Sequence, residues 1–248
     1  MQGRIHSIET TGMVDGPGIR YIIFAQGCLL RCQYCHNPDS WERNAGQFHD
    51  TEDLVADIKK YLPYMKHSGG GVTVSGGEPL LQMPFLIDLF KKLKSLGIHT
   101  AIDSSGGCYS ETESFQAEFQ ELLNYTDLFL VDLKQIDETK HRELTGSGNR
   151  QILSFAKQLS DQQVPMWIRH VLVPGKTDDS EDLQKLGQFI SSLASVERVE
   201  ILPYHKMGIY KWEELGIPYP LEGVESPTEA EVERAKRLMN IVGTPVYA

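Results

Sequence analysis

The chain has 248 residues, a formal net charge of −10 and an apolar fraction of 40%, which supports a sizeable core. Its acidic character excludes a general nucleic-acid-binding protein, which needs a basic surface to neutralise phosphates. The sequence has no apolar run of membrane-spanning length and no signal-like N-terminal segment, so we expect a cytoplasmic protein without a membrane partner.

The first predicted strand, Arg20–Gln26, leads directly into a loop that carries three of the four cysteines, Cys28, Cys32 and Cys35. This C-x3-C-x2-C spacing supplies three thiolates, one fewer than the four that surround an ordinary 4Fe-4S cluster. One iron would then have no protein ligand, so the spacing indicates catalysis rather than electron storage alone.

Zinc remains an alternative for this loop, because Cys3His sites exist and His36 directly follows Cys35. The spacing favours iron–sulfur, since the sequence offers no second C-x2-C or H-x3-H pair. Disulfides fit poorly, because three clustered cysteines and the remote Cys108 pair awkwardly. We interpret Cys108 as a small, partly buried residue without a ligand role.

Five further apolar, β-branched runs predict strands: Gly71–Ser75, His99–Asp103, Leu128–Asp132, Met166–Val173 and Val199–Leu202. They are continuously apolar rather than alternating, which is typical of a parallel sheet buried on both faces. Helical patterns fall between them: a helix capped by Thr51 that carries Leu54–Leu62, one with Pro84 in its first turn and Gly97 as its stop, and the segments Glu118–Leu123, Gln151–Leu159 and Asp182–Leu193.

A last helix is expected at about 227–242, opened by a capping box of Ser226 and Glu229 and ended by Gly243. The pattern gives six βα units, too few for a closed eight-stranded barrel, and the dinucleotide fingerprint is absent after the first strand. We therefore predict an α/β fold, an open partial (β/α)6 barrel of parallel strands with outer helices.

Polar residues collect where the predicted strands end: the cysteine loop, Ser75–Glu78, Asp103–Gly107, Asp132–Lys134 and Pro203–His205. In parallel βα folds these strand ends build the active site. Each segment alone has a structural alternative: a simple turn, an ion pair of Asp132 with Lys134, a surface histidine. Arg169, inside a strand, could serve a ligand or a core ion pair. Because all these polar segments lie at the ends of predicted strands, we favour an active site there over the separate structural alternatives.

In these residues the chain resembles the radical S-adenosylmethionine enzymes. Their signature is C-x3-C-x-Φ-C, in which Φ is an aromatic residue, and Tyr34 occupies that position. It is similar in particular to the pyruvate formate-lyase activating enzymes, over nearly the whole chain and in the same order. The shared segments are Asp15–Arg20, Tyr34–Asn37, Gly69–Glu78, Gly97–Thr100, Val131–Gln135, Trp167–Arg169, Val173–Gly175 and Leu202–His205.

The resemblance implies a single domain over 1–248 with its cluster loop at 27–37, in which Cys28, Cys32 and Cys35 are catalytic and hold a 4Fe-4S cluster. S-adenosyl-L-methionine would bind the open iron. Reductive cleavage would give a 5′-deoxyadenosyl radical that takes a hydrogen atom from a backbone glycine of pyruvate formate-lyase. Flavodoxin or ferredoxin would donate the electron, and we expect a monomer.

The resemblance also implies contacts to the cofactor. Tyr34 and His36 would flank the adenine, Gly76 and Gly77 would let the backbone approach the methionine amino group, and His205 would reach the ribose or methionine end. The full implied set is Tyr34, Cys35, His36, Gly76, Gly77, Glu78, Asp132, Leu133, Lys134 and His205. A monovalent cation is also implied, with oxygen ligands from Asp103, Ser104 and Asp132.

Two other functions remain open from the sequence: a zinc-stabilised adaptor without enzymatic activity, and a radical enzyme that acts on a small molecule. Related activases of other glycyl-radical enzymes carry a cysteine-rich insert after the first motif. No cysteine lies between Cys35 and Thr51, which favours the simpler activase.

Overall fold

Eight strands form an open, mostly parallel sheet in the computed structural model, which describes residues 1–241. They are β1 (Gln2–Gly12), β2 (Arg20–Ala25), β3 (Gln47–Asp50), β4 (Gly71–Gly76), β5 (His99–Ser104), β6 (Leu128–Asp132), β7 (Met166–Leu172) and β8 (Val196–Pro203). The strand order is β3-β1-β2-β4-β5-β6-β7-β8, so β3 and β8 are edge strands. The predicted open α/β fold, of the kind found in partial barrels, is confirmed.

The helices of the described residues follow the strands along the chain. They are α1 (Thr51–Ile58), α2 (Leu62–Ser68), α3 (Met83–Ser95), α4 (Glu113–Leu123), α5 (Glu138–Thr145), α6 (Arg150–Asp161), α7 (Ser180–Ser191), α8 (Ile209–Glu214) and α9 (Glu229–Leu238). Within residues 1–241, no helix combines the length and the apolar character that crossing a membrane requires.

The chain divides into two compact units. The first unit contains Met1–Leu29 and Ser40–Leu130, and the second contains Leu30–Asp39 and the chain from Val131 onward. The cysteine loop therefore has its first part in the first unit and its second part in the second unit.

The first unit is built on parallel pairs of β2 with β4 and of β4 with β5. All six predicted strands of the chain are present, with ends that differ by a few residues. The sequence prediction missed β1 and β3, which pair with each other in antiparallel fashion, while β1 also pairs with β2. β1 alternates between more and less buried residues, and β3 is short and has no fully buried residue, so neither has the continuous apolar run used to find strands.

The helix after β3 differs from its prediction at both ends. Asp50 rather than Thr51 is the N-cap of α1, because the Asp50 side chain accepts a hydrogen bond from the Glu52 N–H. The helical pattern predicted through Leu62 stops at Ile58 and continues as a tight 3-10 turn before α2. Pro63 explains the interruption, since it has no N–H with which to bond the carbonyl four residues earlier.

The predicted capping box of the last helix is wrong by two residues. Thr228 is the N-cap of α9, and its side chain and that of Glu231 form the reciprocal capping bonds predicted for Ser226 and Glu229. The sequence S-P-T-E-A-E offers both pairs, and only the second leaves the proline outside the helix. The predicted end of the helix near Gly243 lies outside the described residues.

Arg20 is fully buried at the start of β2 and ties the preceding loop to the sheet. Its guanidinium donates to the Val72 carbonyl oxygen at 2.6 Å and to Thr73 Oγ1 at 2.9 Å. Thr73 Oγ1 in turn donates to the carbonyl oxygen of Asp15. Burial lowers the pKa of Arg20 to about 10, so the group stays charged at neutral pH.

The contact between Arg20 and His99 predicts a pH dependence of stability. Arg20 Nη1 lies 3.2 Å from His99 Nδ1, and burial together with this guanidinium lowers the pKa of His99 to about 4, despite the opposing effect of Asp127. The folded protein therefore holds His99 neutral, whereas an unfolded histidine binds a proton below about pH 6.5. Stability from this group is present above that pH and is lost as the pH falls towards 4.

We expect the urea midpoint of the wild type to fall more between pH 7.5 and pH 5.5 than that of His99→Gln, whose amide oxygen can still accept from Arg20. Equal falls in both proteins would contradict this assignment.

The second unit contains the parallel pair β7 and β8, with α9 packed against α7 and β8. Arg169 on β7 forms a buried ion pair with Glu200 on β8, with 3.1 Å between Arg169 Nε and Glu200 Oε2. Arg198 contacts the other oxygen of the same carboxylate and lies over the Trp167 ring. Of the two roles open for Arg169 in the sequence, the geometry shows the core ion pair.

Candidate active site

In the first unit, main-chain hydrogen bonds hold the beginning of the cysteine loop. The N–H of Gly27 donates to the Ser40 carbonyl oxygen at 2.7 Å, and the N–H of Cys28 donates to that of Trp41 at 3.2 Å. The N–H of Glu78, just after β4, donates to the Gly27 carbonyl oxygen at 2.7 Å. The segment that follows β4 is thus attached to the segment that follows β2.

Gly76 and Gly77 make this close approach of the two strand ends feasible. Gly76 has a φ of +109°, and a Cβ atom there would lie 2.4 Å from the Ala25 nitrogen. A Cβ atom on Gly77 would lie 2.2 Å from the Gly27 oxygen. Any side chain at either position would displace the backbone of the neighbouring segment. Glycine is therefore required here for packing within the unit, a reason the sequence prediction did not give.

The Glu78 side chain points into the first unit and is only 1% exposed. Its Oε1 accepts from Ser104 Oγ at 2.6 Å and from the Leu80 N–H at 3.3 Å. Its Oε2 accepts from Ser105 Oγ at 2.7 Å and from the Ser105 N–H at 3.2 Å. Burial raises the pKa of Glu78, and these donors oppose the rise. The carboxylate thereby fixes the loop that follows β5.

We expect Glu78→Gln to lower the free energy of unfolding by about 1–3 kcal/mol. Each carboxylate oxygen accepts a backbone N–H, from Leu80 or from Ser105. Whichever way the glutamine amide turns, its NH2 group faces one of these donors and leaves it unsatisfied. Urea denaturation measures the change, with the exposed Glu121→Gln as matched control. An unchanged midpoint for Glu78→Gln would contradict this account.

The residues implied as cation ligands lie in different units. Asp103 and Ser104, at the end of β5, belong to the first unit, where Ser75 Oγ donates to Asp103 Oδ2 at 2.7 Å and Ser104 Oγ donates to Glu78. Asp132 belongs to the second unit. Asp103 and Ser104 are therefore each hydrogen-bonded to a different residue, Ser75 of β4 and Glu78 just after it.

In the second unit, the C-terminal end of α5 holds the middle of the cysteine loop. The N–H of Arg31 donates to the Thr145 carbonyl oxygen at 2.7 Å, and the N–H of Gln33 donates to that of Leu144 at 2.9 Å. Carbonyls in the last turn of a helix have no partner within it, so the loop satisfies them. The sequence prediction missed α5, whose strongly polar sequence E-T-K-H-R-E-L-T lacks an apolar stripe.

Asp132, the last residue of β6, forms an ion pair with Lys134 in the same unit, with 2.7 Å between Lys134 Nζ and Asp132 Oδ2. The ammonium also lies 5.7 Å from the centroid of the Tyr34 ring. Burial would lower the pKa of Lys134, but Asp132 outweighs it and the pKa is raised, so the lysine remains charged. Tyr34 is 6% exposed, and its hydroxyl has no hydrogen-bond partner among residues 1–241.

The end of the cysteine loop contacts the segment that follows β8. The rings of His36 and His205 are stacked at 4.1 Å, and His36 Nε2 lies 3.2 Å from the His205 carbonyl oxygen. Trp212 Nε1 donates to the Cys35 carbonyl oxygen at 2.9 Å, and Lys211 Nζ donates to Asn37 Oδ1 at 2.8 Å. Burial, followed by His205, lowers the pKa of His36, which favours its neutral form.

Sequence reasoning missed Trp212 and Lys211. They lie on the short helix α8, which was not predicted. The signal available was a lone tryptophan beside a lysine, K-W-E-E-L-G, after the polar strand end P-Y-H.

The thiols suit an iron–sulfur cluster by their chemistry. None of the four cysteines forms a disulfide, so the loop thiols remain as thiols. Burial raises the pKa of Cys32 to about 12, with Lys134 opposing the rise, so the thiol is protonated until a metal replaces the proton. Within residues 1–241, no three His, Cys, Asp or Glu side chains converge as ligands of one ion. A cubane does not require this, because each of its thiolates binds a different iron.

Comparisons with known proteins show the family of this chain. Residues 14–153 match a family described as a 4Fe-4S single cluster domain. A pyruvate formate-lyase-activating enzyme of Staphylococcus epidermidis is 58% identical over 98% of this chain and 97% of that protein.

Solved structures resemble this chain in fold. A domain of pyruvate-formate lyase-activating enzyme from Bacteroides vulgatus is 27% identical, with a TM-score of 0.58, over 72% of this chain and 98% of that chain. A radical SAM methyltransferase from Sphaerobacter thermophilus shares the fold, with a TM-score of 0.63 at 14% identity, over 92% of this chain and 65% of that chain.

The family match makes this chain a member of the 4Fe-4S single cluster domain family, and its open, mostly parallel α/β sheet is the fold of a radical SAM methyltransferase. The family match decides between iron–sulfur and zinc in favour of iron–sulfur. More narrowly, the chain belongs to the family of pyruvate formate-lyase-activating enzymes.

Proposed function

We propose that this protein activates pyruvate formate-lyase by forming a glycyl radical on its backbone, with Cys28, Cys32 and Cys35 as the ligands of the cluster. The observation that carries the proposal is a loop of three cysteines, none of them in a disulfide, whose main chain is held, within each unit, by hydrogen bonds to neighbouring segments. When bound, the cluster and S-adenosyl-L-methionine supply a 5′-deoxyadenosyl radical that removes a hydrogen atom from a glycine.

The residues of the protein itself hold and orient the cofactor. In the first unit, Gly76, Gly77 and Glu78 offer main-chain atoms to the methionine end of the cofactor. The Glu78 carboxylate, which is already bound to Ser104 and Ser105, acts by fixing the loop after β5. Asp103, Ser104 and Asp132 remain the proposed oxygen ligands of a monovalent cation.

In the second unit, Asp132, Leu133 and Lys134 contribute to the cofactor site, and the ion pair supplies opposite charges for its amino-acid and ribose groups. The Tyr34 ring is buried beside Lys134, so we expect its contact to the adenine to use the main chain more than the ring face.

His36 and His205 complete the proposed cofactor contacts in the second unit. Burial and its histidine neighbour favour a neutral His36, a form that neither repels the positively charged sulfonium nor carries a labile charge. A stacked pair of neutral imidazoles presents a flat polar edge to an adenine or ribose. The proposed electron donor is flavodoxin or ferredoxin.

The experiment that tests the proposal combines the reconstituted, reduced protein with S-adenosyl-L-methionine and purified pyruvate formate-lyase under anaerobic conditions. We expect a glycyl-radical signal in electron paramagnetic resonance and one equivalent of 5′-deoxyadenosine for each radical formed. Formation of 5′-deoxyadenosine without a radical on the lyase would overturn the proposed substrate and favour a small molecule. No 5′-deoxyadenosine at all would overturn the mechanism.

A further inference from the structure

Within the second unit, the segment after β8 is bonded to the end of the cysteine loop. We call Lys211 and Trp212 of α8 the clasp. Trp212 bonds the main chain of Cys35, while Lys211 Nζ bonds Asn37 Oδ1 and forms an ion pair with Asp39 at 2.9 Å. The clasp therefore holds the loop at three positions, one of which is the main chain of a proposed cluster ligand.

The position of the Trp212 indole is itself fixed. The residue is 2% exposed, and its ring packs edge-on against Tyr219 with 5.3 Å between the ring centroids. The Tyr219 hydroxyl is hydrogen-bonded to the buried Tyr204 hydroxyl at 2.8 Å. An indole has one N–H and no acceptor, and here that donor is directed at the Cys35 carbonyl oxygen.

Close packing of Gly208, the residue just before α8, against His36 supports the same attachment of the loop to α8. A Cβ atom on Gly208 would lie 2.7 Å from the Cα atom of His36, so the two segments meet backbone to backbone. Such a contact leaves the loop little freedom to move away from α8.

We propose that Trp212 is a positioning residue for the iron–sulfur cluster, because it holds the main chain of Cys35 in the place from which the thiolate binds iron. Lys211 supports it from the following residues of the loop. This inference rests on the proposed function, in which Cys35 is a cluster ligand. Groups that orient metal ligands in this way typically change metal affinity by about 10–100-fold when they are removed.

The test compares the anaerobically reconstituted wild type with Trp212→Phe, which keeps an aromatic ring and loses the N–H. Trp167→Phe is the matched control, since Trp167 packs on Arg198 in the same unit. Iron transfer to a ferrous chelator is followed by absorbance. We expect about tenfold faster iron release from Trp212→Phe and wild-type release from the control.

Two further measurements separate positioning from general destabilisation. We expect an altered line shape of the reduced cluster in electron paramagnetic resonance for Trp212→Phe. In the protein without its cluster, we expect faster hydrogen exchange in residues 30–40 and unchanged exchange in β7 and β8. Faster exchange throughout the second unit would overturn the positioning role.

If Trp212→Phe does not fold, Lys211→Met decides, with the same expected increase in exchange confined to residues 30–40. Wild-type rates of iron release in a folded Trp212→Phe protein would overturn this inference and leave the proposed function intact. A wild type that binds no cluster would instead overturn the proposed function, and this inference with it.

Discussion

Replacing Cys32 by alanine is expected to abolish the 4Fe-4S cluster and with it all cleavage of S-adenosyl-L-methionine. Three thiolates are the minimum with which this loop can hold a cubane and still leave one iron open. Cys32 is buried, so water replaces its thiolate poorly. Iron content, the absorbance near 400 nm and 5′-deoxyadenosine formation measure the result after anaerobic reconstitution.

Cys108→Ala is the matched control for this prediction. Burial raises the pKa of the Cys108 thiol far above its ordinary value, with Glu78 adding to the rise, so it is a poor source of thiolate. We expect wild-type iron content and cleavage in this variant. Retention of a catalytic cluster in Cys32→Ala, or its loss in Cys108→Ala, would contradict the assignment of the ligands.

Replacing Lys134 by methionine is expected to lower cleavage of S-adenosyl-L-methionine by about a hundredfold while the cluster still assembles. A hydrogen bond from a charged donor contributes about 1.5–3 kcal/mol, and each 1.4 kcal/mol is a factor of ten. The Lys134→Met substitution also removes the ammonium that pairs with Asp132, which changes the charge offered to the cofactor.

The matched control is Lys185→Met, which breaks an exposed ion pair with Glu181 on α7. Cluster content and the affinity for S-adenosyl-L-methionine are measured alongside cleavage. Loss of the cluster in Lys134→Met would show that the residue acts on the fold of the loop, and wild-type cleavage would remove Lys134 from the proposed cofactor site.

Much of the sheet was predictable from the sequence because its parallel strands are buried on both faces. Val72, Val74 and their neighbours in β4 form an unbroken buried run, and such runs are visible without any structure. The antiparallel β1 was not predictable in the same way, because the buried Gly3 and Ile5 alternate with less buried residues and only pairing with β2 and β3 defines the strand.

Some features of the candidate site were likewise predictable from the sequence, and others were not. The cysteine spacing and the polar strand ends are local patterns, and the ion pair of Asp132 with Lys134 joins two residues only two apart in the chain, although β6 ends at Asp132. The bond from Trp212 to Cys35 joins residues far apart in the chain, so no local pattern reports it. The direction of the Glu78 carboxylate, towards Ser104 and Ser105, likewise depends on tertiary packing.

Electron paramagnetic resonance of the anaerobically reconstituted and reduced protein, with and without S-adenosyl-L-methionine, tests the central claim most directly. The account predicts a reduced 4Fe-4S signal that changes shape when S-adenosyl-L-methionine is added, because the cofactor binds the iron that no cysteine holds. A cluster signal that S-adenosyl-L-methionine leaves unchanged, or a silent protein that contains zinc and little iron, would contradict it.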